Sequence, residues 1–353
     1  EGPYTLKGLI EIIKSNKNNY TKVPGLWFQE NGNIRKTTKA ALIKDVNEIL
    51  PIAAWDLLPM EKYRAHNWHC FDGINNRMPY GVIYTSIGCP YSCVFCCINA
   101  PFGKAGIRFR SPELVVNEIG LLVSGYGIKN IKIADELFIL KEKHYMTILD
   151  LLVQRGYELN IWAYARVDTV KPENLKKMKK AGINWLALGI ESANPEVRDG
   201  ASKKMKIKDI RNVVKSIQDE GIRVIGNYIF GLPDDTLETM QETLDMAIEL
   251  KCEFANFYSA MAYPGSKLHD IVIKEGWELP KEWHGYSQHS YETLPLPTKY
   301  ISAKEVLKFR DDAFNSYFKD QGYLDMIEDK LGDDVRAHIQ NMTKNRIKRK
   351  ILE

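Results

Sequence analysis

Apolar positions recur along this chain with two different periods. In LKGLIEIIKS, Leu6, Leu9, Ile10 and Ile13 fall at helical spacing, which predicts an amphipathic helix with one buried face. GLWFQENGNIRK reads as a hairpin turning at Asn31-Gly32, and the proline- and aromatic-rich LPIAAWDLLPMEKY as a linker. From Gly81 the pattern changes to short β-rich runs: GVIYTSI (81–87), NIKI (130–133), NIWA (160–163), WLALG (185–189), RVIGNYIF (223–230) and FANFYSA (254–260). Amphipathic helices lie between them, such as SPELVVNEIGLLVS, with Ser111 as N-cap and Pro112 at N1, and PENLKKMKKAG, closed by Gly182. Such alternation implies an α/β fold, a parallel sheet with right-handed crossovers that is either doubly wound or curled into a barrel. Beyond Pro264 the pattern is irregular and then helical, as expected of a C-terminal cap.

Composition narrows the class. With 353 residues, 44% of them hydrophobic and 27% charged, the chain can bury a sizeable core, and no run of 18 apolar residues offers a membrane span. A net charge of +4, from 49 basic and 45 acidic side chains, is too mild to imply a nucleic-acid partner. Only KNRIKRKILE at the end is locally basic, and it reads as a solvated helix end. No secretory signal is present, so a cytoplasmic setting is expected; the start at Glu1 inside a helical pattern suggests a chain cut from a longer polypeptide.

Four of the six cysteines, Cys89, Cys93, Cys96 and Cys97, lie within nine residues, which suits a metal site better than a disulfide framework. Cys89, Cys93 and Cys96 form C-x3-C-x2-C on the loop after the first strand of the β/α array. Soft thiolates select zinc, copper(I) or iron–sulfur clusters. A structural zinc would want a fourth ligand, usually as two separated pairs, and no second pair exists here. Cys70 and Cys252 read as small buried hydrophobes.

With Phe95 before Cys96, the loop resembles that of the radical S-adenosylmethionine (SAM) superfamily, which implies a [4Fe–4S] cluster on Cys89, Cys93 and Cys96 with one iron open to SAM. The implied fold is a partial (β/α)6 TIM-like barrel with an N-terminal domain remnant (1–80), a core (81–265) and a mostly helical cap (266–353). Further segments resemble the family's cofactor contacts. Asp135 and Glu136 would receive the SAM amino group, Arg166 its carboxylate, and Glu191 with Ser192 its ribose, each past the end of a strand, where barrel sites are built. Gly226, Ile229 and Gly231 resemble the segment that reads adenine, and Tyr263-Pro264-Gly265-Ser266 the turn after the sixth strand. Taken singly, these could be a helix N-cap, a surface ion pair and an ordinary turn.

The flanks resemble the cobalamin-dependent branch of this superfamily, with Pro51, Ala53, Ala54, Trp55 and Asp56 as its Pro-Ala-Trp-Asp-like element. The chain departs from that branch in lacking any D-x-H-x-x-G segment to ligate cobalt, so cobalamin is implied only together with a domain largely missing here. The resemblance implies reductive cleavage of SAM to a 5′-deoxyadenosyl radical that abstracts hydrogen from a small-molecule substrate, fed by a reductant such as flavodoxin or ferredoxin. Methylation of carbon, rearrangement, ring closure and deoxygenation are the outcomes it allows. The contrasting reading is a non-catalytic iron–sulfur or zinc interaction module. Trp283, His284, Tyr286 and His289 are candidates to close a pocket over the barrel mouth, or simply to pack.

Overall fold

Spatial order decides between the two architectures open to an alternating chain. The computed structural model describes residues 2–15, 19–49, 52–201 and 207–353, apart from the side chains of 49, 207 and 208. Its strands are β1 (Trp27–Glu30), β2 (Asn33–Lys36), β3 (Tyr80–Ile83), β4 (Ser86–Cys89), β5 (Gly106–Phe109), β6 (Asn130–Ile133), β7 (Asn160–Arg166), β8 (Ile183–Glu191), β9 (Arg223–Phe230) and β10 (Phe254–Ser259). Six of them form one parallel sheet in the order β10-β9-β8-β7-β6-β3. Each crossover adds the next neighbour on the same side, so no reversal of strand order occurs, as it would in a doubly wound sheet. The sheet is an open, barrel-type winding whose inner face encloses a cavity reached by side chains from β6 to β10.

The outer face is the main core. Ile131, Ile133, Ile161, Leu186, Leu188 and Val224 are fully buried beneath helices that contribute Val115, Ile119, Ile148, Leu149, Met178 and Met240. Local signals set the helix limits. Ser111 Oγ accepts from Leu114 N at the start of Pro112–Tyr126, and Gly182 turns at φ 93° beyond Pro172–Lys180. The hairpin β1–β2 forms about Asn31 and Gly32, both at positive φ.

Both ends of the sheet are closed by segments without β/α periodicity. Below, residues 65–76 plug the strand starts: Asn160 Nδ2 donates to His69 O and to Asn130 Oδ1, and Asn184 Nδ2 donates to Asn160 Oδ1. Trp68 packs edge-on against Trp162 and Trp185. At the open edge, helices Ala303–Phe318 and Gln321–Leu331 carry the buried Tyr317 and Tyr323, whose hydroxyls donate to Cys252 O and Glu253 O. The linker is tied to the core by Glu118, which accepts from Ala53 N, Trp55 Nε1 and Arg110 Nη1.

Three expectations need correction. The run 81–87 is not one strand: the chain leaves the sheet after Ile83, and Ser86–Cys89 pairs antiparallel with Gly106–Phe109. The first helix, Gly2–Lys14, buries none of its residues, and Leu6 and Ile13 are more than half exposed, because too little else in the N-terminal segment packs on it. The basic tail is not merely solvated. Arg349 is 2% exposed and donates to both oxygens of Asp311, to Ser290 O and to Thr293 Oγ1.

Candidate functional site

The cysteine loop hangs between β4 and β5, and its foundation is a buried carboxylate. Asp135, just past β6, accepts from Thr85 N at 2.6 Å, Thr85 Oγ1 at 2.5 Å and Ser86 Oγ at 2.6 Å. It thereby fixes the corner at which the chain turns out of the sheet. Gly88 sits at φ 93°, and a Cβ there would lie 2.4 Å from Gly106 O, so only glycine permits this close strand pair. Phe95 anchors the loop's far side, packed with Val94 and Ile229 on Val197, Ala201, Leu232 and Ala260. Leu268 N donates to Val94 O, and the Tyr263–Ser266 turn runs so close that a Cβ on Gly265 would meet Ala100 Cβ at 2.5 Å.

On this support Cys89 is buried, Cys93 half-buried and Cys96 exposed. Burial pushes the Cys89 thiol up, and nearby Cys93 and Glu136 add to the effect while Arg166 opposes it. Cys96, although exposed, is crowded enough by surrounding protein atoms that its thiol is pushed up as well, with Cys97, Cys93 and Glu136 adding to the effect. The three thiols, Glu136 and Arg166 therefore share one electrostatic environment. Among the described residues no three His, Cys, Asp or Glu side chains converge tightly enough for a single metal ion. An all-sulfur donor set on one loop suits iron–sulfur chemistry.

The remaining expected residues divide. Glu136 is near enough to Cys89 and Cys96 to raise their thiols, and its own carboxyl is raised by partial burial and by Asp135 against the pull of Lys132. Arg166 lies 4.1 Å over the Tyr91 ring and is held by both oxygens of Asp168 at 2.8 Å. Glu191 ends β8 at a register shift with φ 65°, a conformation uncommon outside glycine, and its charge is felt by Tyr258 on β10. Gly231, at φ 80°, has no room for a side chain against Val306, and its N–H donates to Asp235 Oδ2.

Three others are turned elsewhere. Asp135 spends its oxygens on Thr85 and Ser86, leaving Glu136 as the member of the pair near the thiols. Ser192 is fully buried, its hydroxyl against Thr243 Oγ1 and Asn194 N. Gly226 lies mid-strand, where a Cβ would strike the buried Tyr228 ring. Of the aromatic and histidine group, Trp283 is 77% exposed and only His289 lines the sheet's cavity. Pro51 lies outside the described residues; Trp55 is buried against Glu118.

Sequence reasoning missed Arg198 and Lys132. Arg198, fully buried, donates to Ser192 O at 2.8 Å and Ala193 O at 3.2 Å, gripping the loop that follows Glu191. Its only sequence signal is an arginine four residues after an Asn N-cap. Lys132 and Asn130 are the polar residues of the strand NIKI, alternating with Ile131 and Ile133, and the period-2 rule would have turned Lys132 inward.

A one-way parallel β/α winding with a thiol loop at its mouth is the architecture of the radical SAM superfamily, and residues 83–247 match that family's model. This stretch of the chain is a radical SAM domain, the core of an enzyme. It is 33% identical over 90% of its length to an uncharacterized methyltransferase of Pyrococcus horikoshii, and 26% identical over 90% to the anaerobic magnesium-protoporphyrin IX monomethyl ester cyclase of Cereibacter sphaeroides. It covers 66% and 50% of those relatives' own lengths. Among solved structures it resembles the cobalamin-dependent SAM radical enzyme OxsB (TM-score 0.66, 16% identity, 96% of this chain and 55% of that one). It also resembles the methyltransferase TsrM of Kitasatospora setae (TM-score 0.60, 20% identity, 77% and 52%). No helix among the described residues is long and apolar enough to cross a membrane.

Proposed function

We propose that this chain is the catalytic portion of a radical SAM enzyme that transfers a methyl group to an unreactive carbon. When bound, a [4Fe–4S] cluster and SAM supply a carbon radical for hydrogen abstraction, and cobalamin held by a further domain supplies the methyl group. Cys89, Cys93 and Cys96 would hold the cluster. Glu136 would take the SAM ammonium, Arg166 its carboxylate and Glu191 its ribose hydroxyls, since a carboxylate accepts and a guanidinium donates. Phe95 and Ile229 would wall the cluster from water, and the Gly231 backbone would approach the adenine edge. Arg198 would hold Glu191 in place through the following carbonyls.

One observation carries the reading: a loop bearing Cys89, Cys93 and Cys96 leaves a parallel β/α sheet on the side where Glu136 follows β6 and Arg166 ends β7. Methyl transfer is favoured over ring closure by the higher identity to the methyltransferase than to the cyclase. Anaerobic reconstitution of the wild type and of C89A, C93A, C96A and C97A tests it. C97A should keep full iron and absorbance and the other three should lose the cluster; the reduced wild type should change its electron paramagnetic resonance signal on adding SAM. A C96A chain with a full cluster, or a signal indifferent to SAM, would favour a non-catalytic module.

A further inference from the structure

The cavity on the inner face of the sheet, above the plug residues His66 and Trp68, measures about 380 Å³, at the small end for ligand sites. Alternate positions on the strands supply its wall: Lys132, Trp162, Tyr164, Asn227, Asn256 and Tyr258. Two features of this wall stand out. First, it is rich in aromatic faces, to which Phe254 and Phe314 add. Second, it is cationic. Lys132 and Arg310 line it together with His66 and His289, and no aspartate or glutamate is among the described residues that do so.

The two cations are not equivalent. Arg310 is committed, donating from Nε to Phe257 O and from Nη1 to Asp311. Among the described residues the Lys132 ammonium has no carboxylate within 4.0 Å and no hydrogen-bond partner; it rests 4.5 Å from the Trp162 ring centroid and 5.5 Å from that of Tyr164. Burial disfavours its charge, with Glu136 the one opposing influence, and its charge in turn helps to depress His66. A lysine half removed from water over two rings, facing an empty volume, is a cation prepared for an anion. Opposite, Asn227 spends Nδ2 on Leu188 O and Oδ1 on Asn256, leaving the Asn256 amide with its carbonyl and a second N–H toward the cavity.

We propose that this lumen binds a small planar substrate carrying a carboxylate, with Lys132 pairing the carboxylate, Trp162 and Tyr164 stacking on the ring, and Asn256 reading a polar ring atom. The inference rests on the radical-enzyme reading, whose substrate it would define. A carboxylate is favoured over a phosphate because the site offers one compact ammonium, no run of backbone N–H groups, and an arginine whose Nε and Nη1 are already spent on Phe257 O and Asp311. The volume suits one ring or a fused pair rather than a macrocycle.

Calorimetric titration of the reconstituted full chain with 2-naphthoate and with its neutral isostere 2-naphthamide tests this without turnover. Naphthoate should bind the wild type at least tenfold more tightly, the range of a charged hydrogen bond. K132M should reduce that preference to within about twofold while retaining naphthamide affinity, which also shows that the site is intact; K132Q serves if K132M does not fold. Equal affinity of the two probes for the wild type, absence of naphthoate binding, or an undiminished preference in both variants would overturn the proposal. Because no SAM is consumed, such a failure concerns the lumen alone, whereas a cluster signal indifferent to SAM would concern the radical reading.

Discussion

His69 should make this fold acid-sensitive well above the range where carboxylates titrate. It is 1% exposed beneath the sheet, with Nε2 3.0 Å from Asn160 O, so the carbonyl requires the proton on Nε2. Nδ1 is buried without a hydrogen-bond partner among the described residues, and a second proton there would have nowhere to donate. Burial therefore pushes the imidazole down from 6.5 to about 3, with His66 adding to it and the Asn160 bond opposing. In the unfolded chain the ring takes its proton near 6.5, in the folded chain only near 3. As pH falls through this window the unfolded state binds the extra proton first, so stability is lost; above it the contribution is constant. Between pH 7 and pH 5 this one group accounts for about 2 kcal/mol. Glutamine can present its amide N–H to Asn160 O without titrating. Urea unfolding of wild type and H69Q at both pH values, followed by tryptophan fluorescence, should show the wild type losing about 2 kcal/mol more than the variant. Equal losses would refute the argument.

Glu118→Gln removes the charge that pairs with Arg110 at 2.7 Å where both side chains are buried, so stability should fall by about 3 kcal/mol in a urea titration. Gly88→Ala would set a Cβ on Gly106 O at a φ of 93°; the β4–β5 pair should open, with lowered iron incorporation and a melting temperature several degrees down. Glu191→Ala should weaken SAM binding by about ten- to hundredfold in calorimetry, the cost of a buried charged hydrogen bond. Arg198→Met should weaken it in the same direction without changing cluster absorbance, since its guanidinium donates to Ser192 O and Ala193 O in the loop that follows Glu191.

Much of this protein was legible in its sequence because the signals are local. The C-x3-C-x2-C spacing, the Asn31-Gly32 turn, the Ser111 cap and the β/α alternation each depend on residues close in the chain, and the hairpin, cap and alternation formed as read. The tertiary structure decided what depends on partners far away. That Asp135 braces Thr85 and Ser86, across 49 and 50 residues, turns a candidate ligand into the support of the cysteine strand. Ser192 is drawn inward by Thr243, 51 residues on, and Gly226 leaves space for Tyr228 on the outer face. Lys132 shows the limit most clearly: the sequence sets it on an inward strand position, but that it meets no carboxylate among the described residues depends on every strand around the cavity. Period-2 alternation dictates which way a side chain points; only packing determines what it meets there.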